Sequence, residues 1–362
     1  MGNDQGKNQD LWISLPPEIL SLILSKLVGG DKVIFHAVCK TWQAITTIAS
    51  QLPQLPLPSQ SHDPCPWLFH IDMNKKKYRF VHPMSNDYTC EIDLPAQLSD
   101  AEIYFSNHGW VLLNRDKHQL FLFNPFTKQI IELPLLPSNL EDPRILFFTS
   151  SPPSPDCLVV AIVRGSIGLH KLGGENNWET HECYETNTML RCSNPILCKG
   201  LYYCWETGGR IAKFDVNDIE HSFTWIDCEF PSRKFHFHLI HSLLQPFLVE
   251  IGGELFVVIN TFDDARIHVF KLNMTTKRLE PVQSLGKNML FISTGTSFST
   301  PTVIRGTCNT IYNGVNFRVG SNSLFCFYSL STRKYFVDNL SSKECFDMRL
   351  LLHDSSWLYP SM

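Results

Sequence analysis

Apolar residues between positions 14 and 30 recur with the spacing of one helical face. Placed on a helix, five of them fall within an arc of about 140°, namely Ile19, Leu20, Ile23, Leu24 and Leu27. Pro16 and Pro17 stand where the first turn of a helix tolerates a missing amide donor, and Gly29 and Gly30 stand where a helix ends. The pattern predicts one helix that is bounded at both ends.

The next apolar positions predict two more short helices. Asp31 can cap the second helix, whose apolar residues at three- and four-residue spacing are Val33, Ile34, Ala37 and Val38. The pattern continues into a third helix with Trp42, Ile45 and Ile48. Three short helices in about 40 residues bury too little apolar surface to be securely stable alone. Periodicity leaves two interpretations open, a docking unit covered by a partner and a helical cap on the following domain.

Residues 51–66 contain five prolines, which end the helical pattern and favour an extended path. We interpret this segment as a stiff spacer at a domain boundary, with a proline-rich ligand for a recognition module as the alternative. From Trp67 onward, short runs of aromatic and β-branched residues alternate with Gly, Pro, Asn and Asp at hairpin spacing. This part of the chain is predicted to be all β.

The β-rich part repeats. Its clearest unit predicts three consecutive strands at 110–113, 120–123 and 130–133, and similar units follow at 201–226, at 255–282 and around 324–328. The end of the middle strand recurs at intervals of 43, 46, 45, 56 and 57 residues, at Phe80, Phe123, Leu169, Phe214, Phe270 and Phe327. A period of about 40–50 residues with several strands is typical of a propeller blade. The repeat predicts a mainly β fold with six blades, with seven blades or an ordinary β-sandwich as alternatives.

The N-terminal residues resemble an F-box in type, order and spacing. The resemblance rests on Leu15-Pro16, Glu18-Ile19-Leu20, Ile23-Leu24, Leu27, Asp31, Val38-Cys39-Lys40 and Trp42, whereas Val28-Gly29-Gly30 stands where that family often has proline. In that family the segment docks on a Skp-type adaptor, which links it to a cullin scaffold and a RING protein. By this resemblance ten residues make or support the adaptor contact: Leu15, Pro16, Leu20, Ile23, Leu24, Leu27, Val38, Cys39, Lys40 and Trp42.

The β-rich part resembles the KIB-type β-propeller of plant F-box proteins. The closest phrases are Gly109-Trp110-Val-Leu-Leu, Leu122-Phe-Asn-Pro-Phe-Thr-Lys128 and the terminal run from Ser355 to Pro360. Most units lack the paired glycines of a standard kelch repeat. The resemblance implies four regions: a disordered tail at 1–10, a three-helix F-box at 11–50, a proline-rich linker at 51–66 and the propeller at 67–362.

Composition excludes several classes of function. The 31 basic and 35 acidic residues create no broad field for nucleic acid, and the one basic run, Lys75 to Lys77, is interpreted as a hairpin turn. Twelve cysteines occur without C-x-x-C spacing, which favours a reducing compartment. The polar N-terminus shows no secretory signal or apolar span. We therefore expect a cytoplasmic or nuclear protein with no membrane partner.

Candidate catalytic or metal-binding groups are few. His236 and His238 would share one face of a strand, near His241, and are a possible metal site, although packing or solvent exposure explains them more simply. Asp263-Asp264 fits a turn better than paired-carboxylate catalysis. Cys39, within an apolar helix pattern, is interpreted as a packing residue. No catalytic residue, metal or cofactor is predicted.

These observations favour a non-catalytic substrate receptor of an SCF-type (Skp, cullin, F-box) ubiquitin ligase. The F-box is expected to recruit the ligase core, while the propeller binds a target protein that the sequence does not identify. One alternative is a propeller enzyme or small-ligand-binding protein with a regulatory F-box, which needs a polar cluster at the central channel. Another is a scaffold that binds the adaptor without ligase activity.

Overall fold

The computed structural model describes residues 15–26, 35, 38–42, 65–83, 85–190, 192–231, 246–261, 266–302, 307–319, 322–337 and 355–359. The described chain is built mainly from strands. It also contains four short 3-10 helices (Ala96–Leu98, Ser138–Leu140, Tyr184–Thr186 and Val216–Asp218), helical residues at 35, 38 and 40–42, and two bounded α-helices, α1 (Pro17–Lys26) and α2 (Ile219–Ser222). In this part of the chain no helix is long and apolar enough to cross a membrane. The predicted tail at 1–10 and most of the linker, 51–64, lie outside the described residues.

The strands form six sheets, which we call blades 1 to 6 in chain order. Blades 1 to 3 consist of β1 (Trp67–Asp72), β2 (Lys77–His82), β3 (Ser85–Asp93), β4 (Glu102–Asn107), β5 (Trp110–Arg115), β6 (Gln119–Asn124), β7 (Gln129–Glu132), β8 (Ile145–Phe148), β9 (Leu158–Val163), β10 (Gly165–Lys171) and β11 (Glu179–Cys183). Blades 4 to 6 consist of β12 (Ile196–Cys198), β13 (Leu201–Trp205), β14 (Arg210–Phe214), β15 (Thr224–Asp227), β16 (Phe247–Ile251), β17 (Glu254–Thr261), β18 (Arg266–Asn273), β19 (Arg278–Val282), β20 (Asn288–Ile292), β21 (Ser297–Pro301), β22 (Thr310–Val319), β23 (Asn322–Ser329) and β24 (Lys334–Val337). A last strand, β25 (Ser355–Leu358), returns to blade 1.

The predicted repeat corresponds to the blades. Each of the six marker residues lies on the next-to-outermost strand of its sheet, on β2, β6, β10, β14, β18 or β23 in turn. The six-bladed propeller is therefore confirmed, and neither seven blades nor a β-sandwich describes the fold. The predicted units of three strands were one strand short, because β4, β12 and β16 precede them at the inner end of their blades.

Blade 1 closes the ring with strands from both ends of the propeller. β25 pairs antiparallel with β1, and the register places Leu68 opposite Trp357 and Trp67 opposite Leu358. All four residues of β25 are buried. Since β25 is last in sequence and innermost in blade 1, its pairing joins the end of the domain to its beginning.

Blade 6 has five strands, in the order β21, β20, β22, β23 and β24. β20 and β21 form a hairpin, and β20 then pairs in parallel with β22, with Leu290 opposite Ile311. This added hairpin lengthens the last predicted repeat to 57 residues. The 56-residue repeat before it includes residues 232–245, which lie outside the described chain.

The hydrophobic core is divided among the spaces between neighbouring blades. Phe69 of blade 1 approaches Phe123 of blade 2, with ring centroids 6.3 Å apart, and Phe147 of blade 3 lies 4.9 Å from Tyr202 of blade 4. Phe291 of blade 6 meets Trp357 of blade 1 edge to face at 4.9 Å. Each blade thus buries its two faces only against its neighbours, which is why the blades require a closed ring.

The turn predicted at the basic run is present. β1 and β2 are joined through residues 73–76, and Lys76 adopts a left-handed conformation with φ of 50°. Lys75 lies 4.0 Å from Asp72 and Lys77 lies 3.8 Å from Glu91. The basic run is therefore an exposed hairpin whose charges are partly paired within blade 1.

Candidate functional site

The first candidate site begins with helix α1. Pro17 is its first residue, and the amides of Ile19 and Leu20 both donate to the Pro16 carbonyl, at 3.0 and 3.1 Å. Glu18 lies in the first turn, where a carboxylate interacts favourably with the helix dipole. The two prolines therefore fix the start of the helix, as the sequence predicted. The predicted end at Gly29 and Gly30 lies outside the described residues.

The described part of the N-terminal unit has a small core of its own. Leu20, Phe35 and Trp42 are buried, and Leu15, Ile23 and Cys39 pack against them while half-buried. The rings of Phe35 and Trp42 lie 4.4 Å apart. Phe35 was not among the apolar residues assigned to the predicted second helix, although its large aromatic side chain indicated a core position. Leu20 and Trp42 therefore stabilise the unit from inside.

Other apolar side chains of this unit face solvent. Ile19 is 42% exposed, Leu22 is 56% exposed and Val38 is 49% exposed. Among the predicted adaptor-binding residues, Pro16, Val38 and Lys40 are exposed, whereas Leu27 and the side chain of Leu24 lie outside the described part. Ile19 and Leu22 were not among the predicted contact residues. Exposure of apolar groups in so small a unit is typical of a surface that a partner covers.

The second candidate site is the centre of the propeller. The turn between β20 and β21, residues 293–296, extends from blade 6 and is called the central turn below. The amide of Ser106 in blade 2 donates to the Gly295 carbonyl at 2.9 Å, and the Thr294 hydroxyl donates to the Ser355 carbonyl in blade 1 at 3.3 Å. Asn194, which precedes blade 4, donates its side-chain amide to the Thr294 carbonyl. Because blades 2 and 4 are not neighbours of blade 6, the central turn crosses the middle of the ring.

Hydroxyl groups complete this arrangement. The Ser106 and Ser356 hydroxyl oxygens are 2.5 Å apart and fully buried, and the Ser293 hydroxyl donates to the Thr296 carbonyl at 2.9 Å. The indole of Trp357 donates to the Ile292 carbonyl at 3.1 Å. These hydrogen bonds join backbone, hydroxyl, indole and amide groups. The polar groups in the middle of the ring thus bind one another.

A cleft of about 280 Å³ lies between blades 5 and 6. Its polar lining includes Arg266, His268 and Arg333, beside the rings of Phe270 and Tyr328. No carboxylate or thiol is among its described lining residues. The cleft therefore offers hydrogen-bond donors and aromatic surface, and its described side chains lack the paired acid and base of hydrolytic catalysis.

The thiols of Cys183, which is buried, and Cys228, which is half-buried, are held in their protonated form. Burial, reinforced by the Glu185 carboxylate, raises the pKa of the Cys183 thiol to about 11. Burial also raises the pKa of Cys228 to about 12, with a smaller contribution from Asp227. Since the thiolate is the nucleophile, these cysteines are unsuited to covalent catalysis near neutral pH.

The predicted histidine cluster from His236 to His241 and the pair Asp263-Asp264 lie outside the described residues. Within the part that is described, no three His, Cys, Asp or Glu side chains are grouped as metal ligands. One buried carboxylate, that of Glu206, is accounted for by an ion pair: it accepts from Arg210 at 2.7 and 2.9 Å. The Arg210 guanidinium also lies 4.2 Å from the centre of the Trp225 ring.

Known sequence families match both parts of the chain. The KIB1-4 beta-propeller family matches residues 80–329, and the F-box domain matches residues 12–49. The F-box/kelch-repeat protein At1g57790 of Arabidopsis thaliana is 27% identical over 296 residues, which cover 80% of this chain and 78% of the relative. A second Arabidopsis thaliana relative, the F-box/kelch-repeat protein At3g18720, is 27% identical over 344 residues, covering 90% and 86% of the two chains.

Similarity to solved structures is lower. The crystal structure of a protein of unknown function from Bacteroides caccae aligns over 61% of this chain and 75% of its own, at 14% identity and a TM-score of 0.37. The resemblance predicted from the N-terminal residues and from the blade phrases is confirmed by the sequence families.

Proposed function

The chain belongs to the KIB1-4 beta-propeller family and carries an F-box domain, and on that premise we propose that it is the substrate-recognition subunit of an SCF-type ubiquitin ligase. In this proposal the F-box docks on a Skp-type adaptor, which brings cullin and RING subunits, and the propeller binds a target protein for ubiquitination. The chain itself performs no chemistry, because its role is to hold the target near the ubiquitin-charged enzyme.

One observation carries the proposal: the F-box unit combines a small internal core with exposed apolar side chains. Leu20 and Trp42 hold the unit together, while Ile19, Leu22 and Val38 remain accessible. Burying such side chains against a partner contributes about 25 cal/mol per Å² of apolar surface. In this proposal the exposed side chains contribute to the free energy of binding, and the buried side chains stabilise the fold that keeps them exposed.

The centre of the propeller supports a receptor over an enzyme. A propeller enzyme would need converging acid and base groups at the channel, whereas the central turn fills the described middle of the ring with mutually bonded hydroxyl and backbone groups. Binding then falls to the outer surfaces of the blades and their connecting loops. Loops held on a rigid scaffold are the common location of protein recognition.

Adaptor retrieval tests the proposal directly. Tagged full-length chain is purified from plant cells as wild type and as a Leu15→Ala, Pro16→Ala double variant, and the retained adaptor and cullin are quantified. We expect the double variant to retain about tenfold less adaptor, because it removes apolar contact at the start of α1. The matched control is Pro134→Ala with Leu135→Ala, the same residue types on the connection between β7 and β8, where Leu135 is exposed and Pro134 is half-buried.

The same purifications report on ubiquitination. We expect a set of ubiquitinated proteins that depends on wild-type chain, persists in the Pro134, Leu135 control and disappears in the Leu15, Pro16 variant. If wild type fails to retrieve the adaptor, the proposal is wrong. If wild type retrieves the adaptor but no ubiquitinated protein responds to the double variant, the chain is a scaffold and the ligase role is excluded.

A further inference from the structure

The connection from blade 3 to blade 4, residues 184–195, carries unusual exposed apolar surface. We call residues 184–190 of this connection the blade 3–4 loop. Tyr184 is 75% exposed and Leu190 is 43% exposed, and Leu197, two residues beyond the connection, is 53% exposed. By contrast, Cys183, Thr186 and Met189, which lie beside or between Tyr184 and Leu190, are buried. The loop therefore directs some apolar side chains inward for packing and others outward to solvent.

Side chains from both blades hold this loop in place. The Arg164 guanidinium donates to the Met189 carbonyl at 2.8 Å, and the Trp225 indole donates to the Glu185 carbonyl at 2.9 Å. The amide of Leu190 donates to the buried Glu206 carboxylate at 3.0 Å. A loop fixed by partners on two blades loses little conformational entropy when it binds, so its exposed side chains are pre-organised contacts.

Gly165 adds a second restraint near the middle of the loop. Its amide donates to the Thr186 hydroxyl at 2.9 Å. Its φ of +80° favours glycine, and a Cβ added there would lie 2.8 Å from the side-chain oxygen of Asn187. The backbone of β10 thus makes room for the loop and anchors it directly.

Exposed carboxylates lie beside the exposed tyrosine and along β11. Glu182 and Glu185 flank it in sequence, and the Tyr184 hydroxyl donates to Glu182 at 3.3 Å. Glu179 and Glu220 are also exposed, and both contact His181. The buried Glu206 is neutralised by Arg210, and the Arg164 guanidinium lies at the far end of the loop, at the Met189 carbonyl. The negative charge is therefore concentrated at the Tyr184 end of the loop. A surface that combines an exposed aromatic ring with neighbouring carboxylates is complementary to a positively charged partner.

We propose that the blade 3–4 loop, together with β11, is the surface on which the target protein docks, and that the docking segment of the target is basic. An apolar side chain of that segment packs against Tyr184, and neighbouring lysines or arginines pair with Glu182 and Glu185. This inference rests on the proposed receptor function and adds to it the place of binding and the chemistry of the segment that is bound. Aromatic anchors commonly dominate the energy of such interfaces.

Site-specific photo-cross-linking tests the docking surface. The full-length chain is expressed in plant cells with the photoreactive residue p-benzoylphenylalanine in place of Tyr184, or in place of Met274 as a control. Met274 is 47% exposed and lies in the turn between β18 and β19. We expect a defined target segment rich in lysine and arginine to be cross-linked and sequenced from position 184, and the same segment to be absent at position 274.

The second part of the test reverses the charge of the docking surface. With the cross-linker at position 184, Glu182→Lys combined with Glu185→Lys should reduce the yield of that segment about fivefold or more, because attraction becomes repulsion. The matched control reverses two exposed carboxylates elsewhere, Glu141→Lys with Asp142→Lys, and should leave the yield unchanged.

Adaptor retention in the same samples separates the two proposals. If adaptor and ubiquitinated proteins are retrieved but position 184 yields no segment, or yields an acidic one, the docking surface is wrong and the receptor function stands. An equal yield from position 274, or an equal loss in the Glu141, Asp142 control, also overturns the docking surface. Failure to retrieve the adaptor with any chain overturns the receptor function.

Discussion

At the centre of the propeller, one glycine of the central turn allows three blades to approach one another closely. A Cβ added to Gly295 would lie 2.2 Å from the Ser356 hydroxyl and 2.7 Å from the Ser356 Cβ. Gly295 also accepts a hydrogen bond from the amide of Ser106. Three blades therefore meet at one residue whose missing side chain leaves the necessary space. The requirement is steric, since closely packed interiors leave no room for an added methyl group.

We predict that Gly295→Ala lowers the free energy of unfolding by about 1–3 kcal/mol, the usual cost of overpacking. Urea unfolding followed by tryptophan fluorescence measures the change. Gly286→Ala is the matched control, because Gly286 has no atom within 4 Å of an added Cβ and carries only the backbone strain of its φ of +65°. If Gly295→Ala lowers the free energy of unfolding by no more than Gly286→Ala does, the central turn tolerates a side chain and the prediction is wrong.

The strands missed by the sequence lie at the inner ends of the blades, namely β4, β8, β12 and β16. Burial alone does not explain this, because β5 and β6 are almost wholly buried and were predicted. β18 alternates buried and exposed or half-exposed positions through Val269, and its sequence predicted a strand. All four residues of β8 are buried, and β12 has only three residues, so neither shows the period of two that marks a half-buried strand. β8 and β12 therefore gave no periodic signal, although each completes its blade.

The N-terminal unit had a similar limit. Apolar residues lie on more than one side of α1, and periodicity could not tell Leu20, which is buried, from Ile19, which is exposed. Phe35 was missed although it precedes Cys39 and Trp42 by four and seven residues, because the repeat was taken from Val33 and Ile34. Its burial follows from its contact with Trp42. In a unit that has both an internal core and exposed apolar side chains, periodicity does not separate the two sets.

We predict that removing β25 opens the ring. A chain ending at residue 354 loses the pairing with β1 and the burial of Trp357 and Leu358. Each large side chain removed from a core costs about 3–5 kcal/mol, which together approaches the whole stability of a typical domain. Size-exclusion chromatography and circular dichroism should show aggregation or loss of cooperative unfolding. A chain ending at residue 360 should behave as wild type, and a monomeric 354-residue chain with an unchanged midpoint would contradict the prediction.

The propeller and the F-box unit differ in how they are stabilised. The propeller joins clusters of buried side chains around a closed ring, whereas the described core of the F-box unit consists of three buried and three half-buried side chains. Buried area grows with domain size, so the smaller unit should open at a lower free energy than the blades. A partner that binds the folded F-box would then stabilise that unit selectively.

Hydrogen exchange with and without the adaptor measures this difference. In the free chain we expect amides of α1, from Ile19 to Lys26, to exchange much faster than those of β13 and β14. Adaptor at about one hundred times its dissociation constant contributes about 2.7 kcal/mol to the folded unit, so exchange in α1 should slow by about a hundredfold. Exchange in β13 and β14 should not change, because those strands belong to blade 4. Equal slowing in both parts would mean that the F-box and the propeller unfold together, and no slowing in α1 would mean that the adaptor does not bind there.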